Sequence, residues 1–302
     1  MFVNVIVFKI DKVKKVLKFI LGKILNHVNI FLPKKIGSIY FKIPIMAGIG
    51  LSNFKTHEVY LLELLKLIIN DRNDILFVDV GANIGQTLLK LKSINKSIEY
   101  VGFEPNVKCN YYIEKLAKAN SLTNTIVLPF GVSKTNGIGV LNFYNNNLDD
   151  SSASMVKNFR ENNVISTSLV AALSISEISS TISFNNMEIL KVDVEGMELE
   201  VIESFSEEIK RNQPYILLEI LPVYNKVKNT DRYNRQENLQ GKLKELQYTM
   251  FRINKSKMEF RGLKEITSIE VHGDLNLCDY IFVPKNKFAY FKNLMLSKSL
   301  LI

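Results

Sequence analysis

The chain has 302 residues, 47% of them hydrophobic and 23% charged, which allows one large domain with appendages or two ordinary ones and excludes a collagen-like fibre or a wholly disordered chain. The net charge of +9 is concentrated at one end, because residues 1–42 hold nine lysines against Asp11 and the remaining 260 residues sum to +1. A nearly neutral body lacks the basic footprint of a nucleic-acid enzyme, so no nucleic-acid partner is expected.

In chain order, residues 13–28 place Val13, Val16, Leu17, Ile20, Leu21, Ile24, Leu25 and Val28 on one helical face, with Lys12, Lys14, Lys15, Lys18 and Lys23 around the remainder. A basic amphipathic helix of this kind either lies on an anionic membrane surface or packs on its own domain or a second subunit. Peripheral membrane contact through residues 1–35 and a homodimer are therefore both open. Pro33, Gly37, Pro44, Gly48 and Gly50 punctuate a linker-like stretch, so residues 1–51 read as an N-terminal extension, 52–290 as the principal domain and 291–302 as a C-terminal tail.

Within the principal domain a helix is predicted over 57–70 and a strand over 75–80. A glycine turn follows, then a helix through 88–91, a strand over 98–103, a helix over 108–120 and a strand over 125–128. Further strands are predicted at 188–192, 215–220, 248–253 and 279–283, several continuously apolar as doubly covered parallel strands are. This alternation implies an α/β fold with a doubly wound, mostly parallel sheet. Residues 142–163, rich in Asn, Ser and Asp, read as a long surface excursion. Such a loop is either a lid or binding loop or only compositional drift.

Cys109 and Cys278 lie far apart without a CxxC pair, and His27, His57 and His272 have no ligand-like spacing. Structural zinc and a disulfide framework are not expected. No stretch free of Asp, Glu, Lys and Arg exceeds 15 residues, against the ~20 apolar residues of a membrane-spanning helix. With the lysines following the first apolar run instead of preceding it, a secretory signal is not expected either. The simplest compartment is the cytoplasm, with attachment at the inner membrane surface as an option for the N-terminus.

The chemistry is concentrated at strand ends. Phe77-Val78-Asp79-Val80-Gly81-Ala82-Asn83-Ile84-Gly85-Gln86 is a strand ending in a carboxylate, then glycines, then a helix start. Gly81 and Gly85 admit close backbone approach, and the helix N-terminus favours an anionic group. Asp79 suits an ammonium, so a ligand of both signs, such as an amino acid moiety, fits better than a pyrophosphate. The dinucleotide fingerprint G-x-G-x-x-G is absent, which argues against a nicotinamide-dependent oxidoreductase. Farther on, Gly102-Phe103-Glu104-Pro105-Asn106 ends the second strand, where an acidic residue can accept both hydroxyl protons of a ribose. An amino acid at one loop and a nucleoside at the next describe S-adenosylmethionine.

With these pieces in place the sequence resembles the FkbM-type family of class I S-adenosylmethionine-dependent methyltransferases. The matching segments are FVDVGANIG at 77–85, GFEPN at 102–106, Gly131-Val132-Ser133, LKVDVEGMELEVIES at 190–204, PYILLEI at 214–220 and CDYIFVP at 278–284. It departs at Ala172-Leu173-Ser174, where many members have Thr-Leu-Asp. The resemblance implies a seven-stranded Rossmann-like methyltransferase sheet, here with an N-terminal helical extension. It also implies that Asp79, Gly81, Asn83 and Gly85 surround the methionine part of the cofactor and that Glu104 holds the ribose, with Phe103, Asn106, Phe130 and Gly131 near the adenine. Its typical reaction is O-methylation of a sugar, glycan or polyketide-type hydroxyl, so a small-molecule or glycan acceptor is expected.

Asp193 and Glu195 repeat the pattern of acidic residues at the carboxyl end of a strand, with Glu198 on the helix that follows. Such a pair serves as a general base, binds a divalent ion through oxygen, or caps the helix. Asp193, Glu195 and, at the next strand end, Glu219 are the catalytic candidates. No metal is assigned, and His272 stands alone. Lys226, Lys228, Arg232 and Arg235 either hold a phosphorylated or acidic acceptor or form a solvated surface. The competing reading is a non-catalytic cofactor-binding or membrane-tethered interaction protein.

Overall fold

The computed structural model describes residue 25 and residues 27–302, less 56, 57, 71, 158, 161, 162 and 257. The expected helix over 13–28 therefore lies almost wholly outside the described residues. Leu25, near its end, is buried in a cluster with Phe41, Ile43, Ile45, Cys109, Tyr112 and Leu116. Among the described residues no helix is long and apolar enough to cross a membrane.

The stretch expected to be linker-like is a β-hairpin, β1 (Asn29–Ile36) and β2 (Ile39–Met46), fully paired from Asn29↔Met46 to Ile36↔Ile39. Gly37 makes the turn at φ +58°. Pro33 and Pro44 obscure this hairpin in the sequence, yet both strands of a two-stranded sheet are edges, where proline is tolerated. Alternate residues Phe41, Ile43 and Ile45 are buried against the helix 107–119.

The helices of the main body are α1 (Val59–Ile69), α2 (Gln86–Ile94), α3 (Val107–Ala119), α4 (Ile175–Ile178), α5 (Glu198–Ser204), α6 (Ser206–Asn212), α7 (Thr230–Glu245) and α8 (Lys285–Ser297). Its central strands are β3 (Leu76–Val80), β4 (Glu99–Phe103), β5 (Thr125–Leu128), β9 (Met187–Val192), β10 (Tyr215–Glu219), β11 (Tyr248–Ser256), β12 (Glu259–Ile266) and β13 (Asp279–Pro284). They order as β12-β11-β13-β10-β9-β3-β4-β5, with β10 through β5 parallel and the remaining junctions antiparallel. The sheet thus has eight strands where seven were expected. The additional one is β12, whose alternation is broken by an irregularity opposite Asn254/Lys255 and by Gly262 at φ +121°. The segment expected as a tail, 291–302, carries fully buried Phe291 and Met295 on α8, and Ile302 donates to the Leu263 carbonyl at 2.9 Å.

A smaller sheet in the order β6-β8-β7 joins β6 (Gly131–Val132), β7 (Gly137–Phe143) and β8 (Ser166–Leu173). The Asn-rich excursion is the long connection between β7 and β8. It is stitched to β7 by the two bonds between Asn142 and Ser154 at 2.9 and 3.0 Å.

Strand alternation divides the core into two layers. Leu76, Val78, Val80, Leu190, Val192, Ile216 and Leu218 face the helices α4 to α7, whereas Phe77, Ile189, Tyr215 and Leu217 face α1, α2 and α8. By the same period Asp79, Lys191 and Glu219 belong to the second face. That row is apolar through the body of the sheet and turns polar at the carboxyl ends, where the strand order reverses between β3 and β9 and a ligand crevice forms.

Candidate active site

The loop after β3 is shaped by glycine. Gly81 has φ +89°, and a Cβ on it would lie 1.8 Å from the Asp193 carbonyl oxygen, so only glycine lets the first loop pass beneath the end of β9. Asn83 also takes a left-handed conformation, at φ +45°, and its N–H donates to Glu104 Oε2 at 2.7 Å. Gly85, at φ +73°, packs toward Leu116 and Ile113 of α3 instead of the crevice.

Glu104 ends β4 and holds two loops together, because its other oxygen accepts from the Asn106 N–H at 2.8 Å. Burial pushes its carboxyl up to about 7 against the lowering effect of these two backbone bonds. Asn106 caps α3 through its side chain, accepting from Lys108 N at 3.1 Å, and donates to the Leu148 carbonyl.

Beside this loop lies a carboxylate cluster organised by Lys191, a residue the sequence reading passed over. Lys191 pairs directly with Asp79 across β9 and β3, and its Nζ lies 3.4 Å from Asp79 Oδ1 and 3.2 Å from Asp193 Oδ2. Burial acts to lower its pKa, but Asp79 and Asp193 outweigh burial and hold the ammonium well above the usual range. The signal was a lysine inside the apolar run Ile189, Leu190, Val192, since such a buried cation requires an acidic partner. Asp79 is fully buried, accepts from Tyr100 Oη at 2.8 Å, and has its pKa raised by burial in spite of Lys191 and Tyr100.

Repulsion from Asp193, then burial, raises the Glu219 carboxyl to about 9. Glu195 sits in a left-handed turn at φ +53° followed by Gly196 at φ +109°. Burial and the nearby Asp193 raise its carboxyl to about 8 against the pull of Arg160, whose Nη2 lies 2.6 Å away. Glu198 is occupied as a local cap, accepting from the Gly196 N–H at 2.8 Å.

A cavity of about 420 Å³ gathers these pieces, lined by Gly81, Asn83, Phe103, Glu104, Gly131, Asp193, Glu195 and Glu219 among others. Cofactor-binding and catalytic candidates thus meet at one place. Asp79, Gly85, Asn106 and Phe130 stand outside the lining: Asp79 underneath, Gly85 and Asn106 at α3, and Phe130 against Phe103 with ring centroids 5.8 Å apart. Sequence reasoning missed Glu58 ahead of α1 and left open the role of the excursion, which contributes Asp149, Asp150, Ser151, Ala153 and Met155 to the wall. The Asp150 carboxylate shapes that loop by accepting from the N–H groups of Tyr144, Asn145 and Ser152 at 2.7 to 3.1 Å.

The family model described as the methyltransferase FkbM domain matches residues 79–251, from the aspartate of β3 into β11. The chain belongs to the FkbM methyltransferase family. Solved structures similar to it include methyltransferase FkbM from Methylobacillus flagellatus, at 15% identity over 70% of this chain and 44% of that one, with a TM-score of 0.43. The chain spans less than half the length of that protein. Others are an S-adenosylmethionine-dependent O-methyltransferase from Thermotoga maritima (10% identity, 83% and 76% coverage, TM-score 0.38) and a precorrin-6y C5,15-methyltransferase from Geobacter metallireducens (11%, 73% and 86%, TM-score 0.34). A comparison with curated proteins gives no match.

S-adenosylmethionine is the cofactor of this FkbM chain, and the cavity fits it on its own chemistry. Among the described residues the lining holds seven acidic side chains against Lys55 and Lys191, and with Glu195 and Glu219 protonated near neutral pH the acids still outnumber the lysines, which suits a ligand bearing a sulfonium and an ammonium. The volume lies within the range of about 300–1,000 Å³ usual for small-ligand sites.

Proposed function

We propose that the protein transfers a methyl group from S-adenosylmethionine to a hydroxyl on a sugar or glycan-type acceptor. The observation that carries this reading is the convergence of Asp193, Glu195 and Glu219 on the cavity that also exposes Glu104 and the Gly81 loop. Held by Glu104, Gly81 and Asn83, S-adenosylmethionine would supply an electrophilic methyl on sulfur for the acceptor oxygen, and the sulfur would keep the electron pair of the broken S–C bond.

The chain's residues then have to orient the acceptor, exclude water and take the hydroxyl proton. Asp193 is assigned the proton-accepting or orienting role. Repulsion from it, with burial, holds the Glu219 carboxyl up at about 9, so Glu219 keeps its proton at neutral pH. Glu195 is the second candidate, paired with Arg160 at 2.6 Å. Glu104 is assigned the ribose hydroxyls, and Gly81 and Asn83 the methionine part.

The test is transfer of labelled methyl to a cell-extract glycan pool by wild type and Asp193→Asn. The variant is expected to lose about 10² to 10⁴ in rate while keeping its affinity for S-adenosylhomocysteine. Near-normal transfer would reduce Asp193 to a structural partner of Lys191.

For residues 1–35, two roles remain as proposals: docking on an anionic membrane, supported by the lysine-rich composition, and packing within the protein or a dimer, supported at Leu25 by its burial. Flotation with anionic and neutral liposomes at low and high salt separates them.

A further inference from the structure

A second cavity, of about 850 Å³, adjoins the first. Two segments form the partition between them. Along the turn after β9, Val194, Glu195 and Met197 line the cofactor cavity while Gly196, Glu198 and Leu199 line the other, and in the excursion Met155 faces the first and Val156 the second. The Arg160–Glu195 ion pair spans this partition, with the carboxylate on the cofactor side and the guanidinium on the other.

The charge reverses across it. The first cavity carries more acidic than basic side chains, whereas the second is lined by Lys157, Arg160, Lys228, Arg232 and Arg235 against Glu198 and Asp231. Arg160 and Arg235 have carboxylate partners in Glu195 and Glu200. Arg232 has none among the described residues. Its Nη1 donates to the Pro222 carbonyl at 3.2 Å, its Nη2 to the Phe159 carbonyl, and its guanidinium stacks 4.5 Å over the Phe159 ring. Burial, with a smaller contribution from Arg160, pushes its pKa down against the opposing pull of Tyr224, Glu198 and Glu195.

Two further features suit a polyhydroxyl ligand. Gln236 lines the cavity, is almost fully buried, and its Oε1 has no donor among the described residues. The N-terminus of α7 also opens there through Asn229, Thr230 and Asp231, and the Asn229 side chain accepts from Asn225 N at 3.2 Å instead of capping the helix. The positive end of the helix dipole adds to the cationic field.

We propose that this second cavity seats the acceptor, and that the acceptor is a hydroxyl compound bearing an oxyanion, phosphoryl or carboxylate, held by Arg232 while its methyl-accepting hydroxyl reaches past Glu195 into the cofactor cavity. The inference rests on the methyltransferase reading and adds the acceptor's chemical class. Arg232 supplies a planar donor fork matched to such oxygens, and Lys157 and Lys228 supply the surrounding field.

The experiment is calorimetry on the full chain loaded with S-adenosylhomocysteine, titrated with glucose 6-phosphate, glucuronate and glucose. At least one anionic sugar is expected to bind about ten- to a hundredfold more tightly than glucose, and Arg232→Gln to remove that advantage. Which anion binds better distinguishes phosphoryl from carboxylate. Lys157→Gln with Lys228→Gln, both at exposed positions, is expected to weaken anion binding several-fold and flatten its salt dependence, and it keeps the test available if Arg232→Gln does not fold. Equal affinity for charged and neutral sugars, no binding of either anion, or anion binding unchanged in these variants would overturn the inference. Failure of the wild type to bind S-adenosylhomocysteine would strike the methyltransferase reading instead.

Discussion

Adding one methyl group to two different glycines is expected to move stability in opposite directions. At Gly81 the new Cβ would lie 1.8 Å from the Asp193 carbonyl oxygen, in a backbone at φ +89°. Ordinary contact would require that carbonyl to retreat by about 1.5 Å or more, which disturbs the Asp193 N–H bond to the Val80 carbonyl at 2.9 Å. The left-handed strain costs about 1–3 kcal/mol and the overpacking a similar amount, so Gly81→Ala should lose about 2–5 kcal/mol. At Gly241, within α7 and exposed, nothing lies within 4 Å of the added Cβ. There alanine restricts the unfolded chain and favours the helix, a gain of about 0.5–1 kcal/mol. Thermal melting should place Gly81→Ala roughly 5–10 °C below wild type and Gly241→Ala roughly 1–3 °C above it. Calorimetry should show S-adenosylhomocysteine affinity lost in the first variant and kept in the second. If Gly81→Ala melts with the wild type and binds S-adenosylhomocysteine equally well, the close passage of the loop beneath β9 is wrong.

Glu104→Ala removes both the proposed ribose acceptor and two backbone hydrogen bonds, and should weaken S-adenosylhomocysteine binding by about 1.5–3 kcal/mol; unchanged affinity in a folded variant sinks that assignment. Lys191→Met leaves Asp79 and Asp193 without their shared cation and should cost about 3–5 kcal/mol of stability by denaturant unfolding; a midpoint shift below about 1 kcal/mol would deny Lys191 its organising role. The carboxyls of Glu104, Glu195 and Glu219, raised to about 7, 8 and 9, hold protons in the folded state that the unfolded chain releases near pH 4.3. Their contribution is complete below that value and is lost as pH rises through 7 to 9. The ligand-free protein should therefore melt at a lower temperature at pH 9 than at pH 6, and a rise would contradict these shifts.

Local sequence carried much of the fold. Apolar runs such as Ile189–Leu190 and Ile216–Leu218 marked buried strands, and Gly81 with Asn83 and Gly85 marked a turn that few other residues can adopt. Glu104, Asp193 and Glu219 were legible because each ends an apolar run, and a carboxylate at a strand's carboxyl end sits at the rim of the sheet. The chain alone therefore determined the doubly wound sheet, the cofactor class and four of the acidic side chains that line the first cavity, Glu104, Asp193, Glu195 and Glu219.

What depended on distant partners was decided only by the tertiary structure. Lys191 reads as a lone charge until β9 is laid in register beside β3, where it falls opposite Asp79. Asp79 is removed from the cavity by Tyr100, a strand away. The hairpin of residues 29–46 is stabilised by contacts with α3, more than sixty positions later, and β12 by its pairing with β11 across a register shift. The second cavity is joined from the excursion, the turn after β9 and the start of α7. Hydrophobic period and turn chemistry act over a few residues, whereas electrostatic pairing and cavity shape arise only once folding brings separated segments within a few ångströms of one another.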